Sequence, residues 1–177
     1  MSHTIRTATT DDAGPLAALA AVTFPLACPP SSSPEDIAAH LAGTLSEQHF
    51  RGYLSDPDIT IVVIESDGVL NGYSLLVNRA AQDPDVASAL TLTPSVELSK
   101  CYVHPGHHGL GAAAELMHAS LQAAAATGGA GVWLGVNSQN ARAIRFYEKA
   151  GFGKVGTKSF RLGSTVEHDF VMERALP

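Results

Sequence analysis

Residues 97–113 read Glu97-Leu98-Ser99-Lys100-Cys101-Tyr102-Val103-His104-Pro105-Gly106-His107-His108-Gly109-Leu110-Gly111-Ala112-Ala113, an apolar strand followed by a glycine-rich turn and a helix. The first N–H groups of a helix have no carbonyl partner, and the peptide dipoles place partial positive charge at that end. Gly109 and Gly111 let the backbone approach a ligand closely. The segment therefore predicts a pocket for a phosphate-bearing cofactor where the strand meets the helix.

Three kinds of nucleotide-type cofactor bind at such a turn, and their sequence requirements differ. A nucleotide-hydrolase phosphate loop requires Gly-Lys-Ser or Gly-Lys-Thr, and neither follows here. A dinucleotide fingerprint accepts residues 109–114 as G-x-G-x-x-A but also requires an acidic residue about 20 positions later. Residues 130–136 read Ala-Gly-Val-Trp-Leu-Gly-Val and contain no carboxylate. Both of these cofactor classes are therefore disfavoured.

The turn resembles the pyrophosphate loop of the Gcn5-related N-acetyltransferases (GNAT), in the spacing of Val103, Pro105, His108, Gly109, Gly111 and Ala113. His108 stands where the family usually has Arg or Gln. A neutral imidazole offers one donor where a guanidinium offers five, although a neighbouring pyrophosphate would favour the protonated ring. The match is closest in the two glycines and departs from the family at His108.

A second downstream segment resembles the family's strand and helix beneath the pantetheine arm. Its matching positions are Leu134, Val136, Asn140, Ala143, Phe146, Tyr147, Gly151 and Phe152. Asn140 suits the start of a helix and Gly151 its end. Residues 97–103, 155–163 and 169–173 further resemble the PaiA-like branch, which includes bacterial acetyltransferases of spermidine and spermine.

The resemblance implies a mixed α/β fold made of one N-acetyltransferase domain over residues 1–177. Its central sheet would be mostly antiparallel, with about seven strands that splay at the cofactor site and helices on both sides. Acetyl-CoA would be the co-substrate, without a metal. The residues that the resemblance assigns to cofactor binding are Cys101, Val103, His108, Gly109, Leu110, Gly111, Ala112, Ala113, Asn140 and Tyr147.

Acyl transfer to an amine requires the amine to lose a proton. An amine with a pKa of about 10.4 is neutral in about one molecule in 2,500 at pH 7, a cost of about 4.6 kcal/mol. Glu97 is the candidate base, acting directly or through water. The alternatives are a solvated strand carboxylate or half of an ion pair, and a bulge in the strand would change the face on which Glu97 lies.

The leaving thiolate of coenzyme A has a pKa of about 8.5, so a general acid contributes a further 10- to 100-fold, roughly. Tyr147 is the family-matched candidate for this acid, and its alternative is an aromatic core residue beside Phe146. Cys101, with His104, His107 and His108 nearby, admits a ping-pong nucleophile as a less favoured alternative. The same histidines form no zinc-ligand pattern with carboxylates or cysteines.

Composition restricts the remaining possibilities. The chain has 177 residues, 45% hydrophobic and 16% charged, which suits one domain. A formal charge of −6 without a basic run argues against a nucleic-acid surface and favours small cationic partners. No apolar run suggests a membrane span or a signal peptide, so a soluble cytoplasmic protein is expected. Cys28 and Cys101 are expected to be free thiols.

The remaining elements follow from local patterns. Strands are predicted at residues 5–8, 59–65, 69–77, 94–103, 130–136, 154–161 and 165–173. Helices are predicted after Asp11, after Ser33, after the cofactor turn and after Asn140, while residues 80–92 are predicted to form an acidic loop. The third helix should bury a stripe made by Leu110, Ala114, Met117, Leu121 and Ala124.

Function is predicted as acetyl transfer to a primary amine, with polyamines as the first acceptor class. A protein N-terminus or an aminoglycoside is the alternative acceptor, and a non-catalytic acyl-CoA-binding regulator is the alternative class. Residues 25–58 and 78–95, where the acceptor would bind, contain no motif that names it. A homodimer is possible from the resemblance, but the apolar pattern does not separate an interface from the core.

Overall fold

The structure is a computed structural model that describes residues 3–107 and 111–177. A seven-stranded sheet carries helices on both faces. The strands are β1 Thr4–Thr7, β2 Ile59–Ser66, β3 Val69–Val77, β4 Ser95–Val103, β5 Gly131–Asn137, β6 Gly153–Leu162 and β7 Thr165–Ala175. The helices are α1 Ala13–Ala27, α2 Pro34–Thr44, α3 Glu47–Ser55, α4 Pro84–Ala89, α5 Ala112–Ala126 and α6 Ala141–Lys149. The predicted α/β class is confirmed.

The strand order is β1-β2-β3-β4-β5-β7-β6, and every neighbouring pair is antiparallel except β4 with β5. That parallel ladder joins only Ser95 to Gly131, Val96 to Val132 and Glu97 to Trp133. Beyond Glu97 the two strands separate, which is the predicted splay. The sheet is therefore divided into two halves that are joined at one end only.

The two faces of the sheet bury different side chains. On one face, α1 and α3 pack Leu16, Leu19 and Phe50 against Tyr73 of β3. On the other face, α5 packs Met117 and Leu121 against β4 and β5. Because each face is covered by helices, strands β3 and β5 are buried almost continuously.

Two helices were not predicted from the sequence. Helix α4 lies within the predicted loop and begins with an Asp83 side chain that accepts a hydrogen bond from the N–H of Asp85. Helix α3 begins at Ser46, whose Oγ accepts from the N–H of His49 at 3.3 Å. Both starts carry an ordinary N-cap residue, but each helix is too short to show a clear helical period.

The stripe predicted for α5 is partly wrong. Met117, Leu121 and Ala124 are buried as expected, but Ala114 is exposed, and Leu110 lies outside the described residues. Ala112, Leu116 and Ser120 complete the buried side of α5 instead. The residues of α5 that contact the sheet follow Ala112 at spacings of four. Ala114 lies two positions from Ala112 and from Leu116, so its side chain points away from the sheet and is exposed.

Two further observations concern the cysteines and the lengths of the helices. Cys28 and Cys101 are free, as predicted. Within residues 3–107 and 111–177, no helix is long and apolar enough to cross a membrane.

Candidate active site

A cavity of about 970 Å³ lies where β4 and β5 separate. Its walls come from β4, β5, β6 and β7, from α1, α2 and α3 on one face of the sheet, and from α5 and α6 on the other. The gap between the strands therefore connects the two faces of the sheet. A ligand on one side can reach a ligand on the other without leaving the cavity.

The cofactor side of the cavity contains most of the residues that the resemblance assigned to it. Cys101, Val103, Gly111, Ala113, Asn140 and Tyr147 all line the cavity. Ala112 does not line it, because its side chain is buried in the core against Leu116. His108, Gly109 and Leu110 lie outside the described residues.

The start of α5 suits an anion. Gly111 precedes the helix with φ of +77°, in the left-handed region that favours glycine. The N–H of Glu115 donates to the carbonyl of Gly111 at 3.1 Å. Residues 112–114 form the first turn of an α-helix, whose N–H groups are the kind that bind a phosphate.

Helix α6 is positioned by Asn140. The Oδ1 of Asn140 accepts a hydrogen bond from the N–H of Ala143 at 3.1 Å, which fixes the first turn. Gly151 follows the helix with φ of +94°. Ala143, Tyr147 and Ala150 pack on the same core cluster, so they share one face of the helix.

Tyr147 is held by aromatic neighbours, with ring centroids 5.5 Å from Phe146 and 5.9 Å from Phe152. Burial raises the pKa of its phenol well above the ordinary value, and the nearby Cys101 and Tyr102 raise it further. The phenol therefore remains protonated at neutral pH, as a proton donor requires. Core packing and a chemical role are compatible here, because Tyr147 also lines the cavity.

Cys101 faces the same side of the sheet. Burial raises the pKa of its thiol to about 12, so the thiolate needed for nucleophilic attack is scarce at neutral pH. The ping-pong alternative loses support. His104 is also engaged, since its Nδ1 accepts from the N–H of Gly106 at 3.0 Å. Across the two described ranges, no group of three or more His, Cys, Asp or Glu is arranged to hold a metal.

A β-bulge at Ser99 decides which residues of β4 face the acceptor side. Leu76 pairs with Leu98 and Leu75 with Lys100, so Ser99 is the extra residue. As a result Lys100 lies on the same face as Glu97, although they are three positions apart. Cys101 then faces the α5 side. A bulge was expected in this strand and is present. It changes the face of the sheet on which the residues after Glu97 lie.

Glu97 is half-buried in the cavity. Burial raises the pKa of its carboxyl, and the positive charges of Lys100 and Lys158 offset part of that rise. The described residues offer it no ion pair, so the alternative of a structural salt bridge is not supported. A higher pKa makes the carboxylate a stronger base at neutral pH.

Sequence reasoning missed four charged residues of the cavity: Lys100, Arg142, Lys158 and Asp169. Lys158 Nζ lies 3.7 Å from Asp169 Oδ2, and Gly135 beside them leaves room for the pair. Burial raises the pKa of Asp169, whereas Lys158 lowers it. Lys158 lies on β6 and Asp169 on β7, so their pairing depends on the register between the two strands and is not visible in the order of residues along the chain.

Lys100 is also half-buried and lines the acceptor side. Its Nζ lies 3.1 Å from Ser99 Oγ and 5.9 Å from the centroid of the Tyr53 ring. Burial lowers the pKa of the ammonium group, and the negative charge of Glu97 opposes that shift.

Aromatic rings close the outer part of this side. The His40 ring stacks on Phe24 with centroids 4.5 Å apart and meets Phe160 edge-on at 5.7 Å. Burial lowers the pKa of His40, and the positive charge of Lys100 lowers it further. The acceptor side thus combines apolar walls with charges of both signs.

Comparison with known proteins agrees with this geometry. The sequence profile of the Acetyltransferase (GNAT) family matches residues 25–152. An uncharacterised N-acetyltransferase of Mycobacterium tuberculosis is 49% identical over 165 residues, which cover 93% of this chain and 98% of that protein.

Two solved structures extend the comparison. The PaiA N-acetyltransferase of Thermoplasma acidophilum, in complex with coenzyme A, has a TM-score of 0.78 at 22% identity and covers 99% of each chain. The putative acetyltransferase yncA of Salmonella typhimurium, with its cofactor acetyl-CoA, has a TM-score of 0.65 at 25% identity and covers 100% of this chain and 95% of that one. The separation of β4 and β5, the start of α5 and the cavity that joins them fit a coenzyme A thioester. The chain therefore belongs to the GNAT family of acetyl-CoA-dependent N-acetyltransferases.

Proposed function

We propose that the protein transfers acetyl from acetyl-CoA to the primary amine of a small molecule, by direct attack within a ternary complex. One observation carries the proposal: Glu97 and the start of α5 line the same cavity, through the gap between β4 and β5. The cofactor and the acceptor can therefore occupy opposite sides of the sheet and meet in the gap.

Several groups would hold the cofactor. The N–H groups at the start of α5 would bind its pyrophosphate, and the backbone of Cys101 and Val103 would bind its pantetheine arm. Asn140 and Tyr147 would complete this side from α6. When bound, acetyl-CoA supplies an activated acetyl group and a thiolate that departs.

Glu97 and Tyr147 would manage the protons. Glu97 would attract the ammonium form of the acceptor and remove its proton directly or through water, which burial favours by raising the pKa of its carboxyl. Tyr147 would donate its phenolic proton towards the departing sulfur from the opposite side of the gap. Because deprotonation of the amine is unfavourable at neutral pH, the role of Glu97 as base is more demanding than that of Tyr147 as acid.

Polyamines are the acceptor class suggested by the PaiA-like resemblance, and they remain a prediction. Glu97 and Asp169 support a cationic acceptor, because both carboxylates line the cavity. A peptide N-terminus or an aminoglycoside would satisfy the same carboxylates. All of these acceptors share a primary amine that arrives protonated, and the proposal rests on that shared feature.

The test is release of free thiol from acetyl-CoA by the purified protein. Spermidine, spermine, an aminoglycoside, N-terminal peptides and amino acids serve as acceptors, with the Tyr147→Phe variant alongside. Amine-dependent thiol release that falls in the variant supports the proposal. Tight coenzyme A binding by calorimetry without release for any acceptor would instead favour a regulator that binds acyl-CoA.

A further inference from the structure

The acceptor side of the cavity contains a cation that forms no salt bridge within the described residues. Lys158 is paired with Asp169, but none of the ion pairs among residues 3–107 and 111–177 includes Lys100. Its Nζ contacts the neutral Ser99 hydroxyl and lies near the Tyr53 ring. The charge of Glu97 offsets only part of the desolvation cost of this half-buried ammonium group, and a bound anion would offset more.

A second donor lies in the same wall. The Trp133 side chain is 5% exposed and lines the cavity, while its Nε1 is itself buried and finds no hydrogen-bond partner among the described residues. An indole N–H can only donate, so it is satisfied by an oxygen or another acceptor atom. Trp133 is also the register partner of Glu97, which places this donor on the strand facing the candidate base.

These observations distinguish between acceptor classes. A polyamine offers further ammonium groups, which Lys100 would repel. A molecule with one ammonium group and one carboxylate would satisfy Glu97 with the first and Lys100 with the second. The rings of Phe24, Tyr53 and Phe160 then provide an apolar wall for the rest of the molecule.

We propose that the acceptor is an amino carboxylic acid, whose ammonium group is met by Glu97 and whose carboxylate is met by Lys100. This proposal rests on the proposed function and narrows its acceptor. The transfer step stays the same: Glu97 takes one proton from the ammonium group, and the neutral amine nitrogen forms a bond to the acetyl carbon. The carbon–sulfur bond then breaks, the departing sulfur takes the proton of Tyr147, and the second proton lost by the nitrogen restores the Tyr147 phenol.

Binding to the coenzyme A complex tests the proposal without requiring turnover. Two matched sets isolate the carboxylate: phenylalanine, phenylalaninamide and phenethylamine, and ornithine, ornithinamide and putrescine. Each is titrated by calorimetry into wild-type protein saturated with coenzyme A, and into Lys100→Met and Lys154→Met. Lys154 is an exposed lysine outside the cavity, so its variant is the matched control.

We expect the amino acid of at least one set to bind about tenfold or more tightly than its amide and its decarboxylated partner, because a charge-assisted bond is lost in both. Lys100→Met should reduce this preference to about twofold or less, while Lys154→Met should keep it. Unchanged coenzyme A affinity in Lys100→Met shows that the variant is folded.

Three results would overturn the inference: equal or tighter binding of the decarboxylated amines, a carboxylate preference that survives in Lys100→Met, or no detectable binding of either set. Thiol release with polyamines in preference to amino acids would also overturn it while supporting the proposed function. Conversely, selective carboxylate binding with no thiol release would support the inference and contradict the proposed function.

Discussion

Glu97 of β4 lies beside Trp133 of β5, and they form the last pair of the parallel ladder before the two strands separate. The candidate base is thus fixed at the point where the acceptor side and the cofactor side of the sheet meet. On the β3 side the backbone of Glu97 pairs with Val77. A carboxylate on a strand held from both sides keeps its position while ligands enter the gap.

Glu97→Gln should lower kcat/KM by about 100-fold or more, because a general base contributes about 10²- to 10⁴-fold. Burial raises the pKa of Glu97, so the wild-type rate should fall with decreasing pH already above the ordinary carboxyl range. The base is active when ionised, and acid therefore removes activity. The measurement is kcat/KM against pH for both proteins.

The control for Glu97→Gln is Glu47→Gln, which changes an exposed carboxylate that pairs with Arg51 outside the cavity. This control should keep both the rate and the pH profile of the wild-type protein. If kcat/KM of Glu97→Gln still falls at low pH as it does in the wild-type protein, Glu97 is not the base.

Tyr147→Phe should lower kcat by about 10- to 100-fold and leave coenzyme A affinity within about twofold, because the hydroxyl donates only as the thiolate departs. The raised pKa of Tyr147 keeps it protonated across the neutral and mildly basic range, so its ionisation should cause no basic limb there. Steady-state kinetics and calorimetry measure the two quantities separately.

Tyr102→Phe is the matched control for Tyr147→Phe. Tyr102 lines the same cavity, and burial raises the pKa of its phenol too, but it lies on the acceptor face beside Tyr73. We expect a smaller loss of kcat there. A larger loss in Tyr102→Phe than in Tyr147→Phe would assign the acid to the other phenol.

Cys101→Ala should keep kcat within about threefold. With a thiol pKa of about 12, about one molecule in 10⁵ carries the thiolate at pH 7, too few for an efficient nucleophile. Intact mass after incubation with acetyl-CoA should show no acetylated protein, with Cys28→Ala as the control. An acetyl adduct that disappears in Cys101→Ala would restore the ping-pong mechanism.

Asn140→Ala should lower the free energy of unfolding by about 1 kcal/mol, because α6 loses the side-chain acceptor for the N–H of Ala143. Asn140→Asp keeps an acceptor oxygen and should lose much less. Urea denaturation measures both variants. Equal stability of Asn140→Ala and wild-type protein would show that tertiary packing alone fixes this helix.

The sequence predicted those parts of the fold and site that depend on short-range patterns. The strand and helix around Asn140 were predicted correctly, because a cap, an apolar face and a stop lie within one continuous segment. Lys100 was not assigned to the acceptor side, since strand alternation from Glu97 places it on the opposite face and only the bulge at Ser99 reverses this. The Lys158–Asp169 pair depends on strand register, which local patterns do not contain.

The short ladder between β4 and β5 also links the integrity of the fold to the supply of its ligand. Past Glu97, the facing edges of β4 and β5 form no ladder with each other, so the halves of the sheet gain cohesion when a molecule fills the gap. A ligand at 100 times its dissociation constant adds about 2.7 kcal/mol to the stability of the folded state. The free energy of unfolding should therefore rise with the concentration of acyl-CoA, and proteolysis of the protein should slow as that ligand is added.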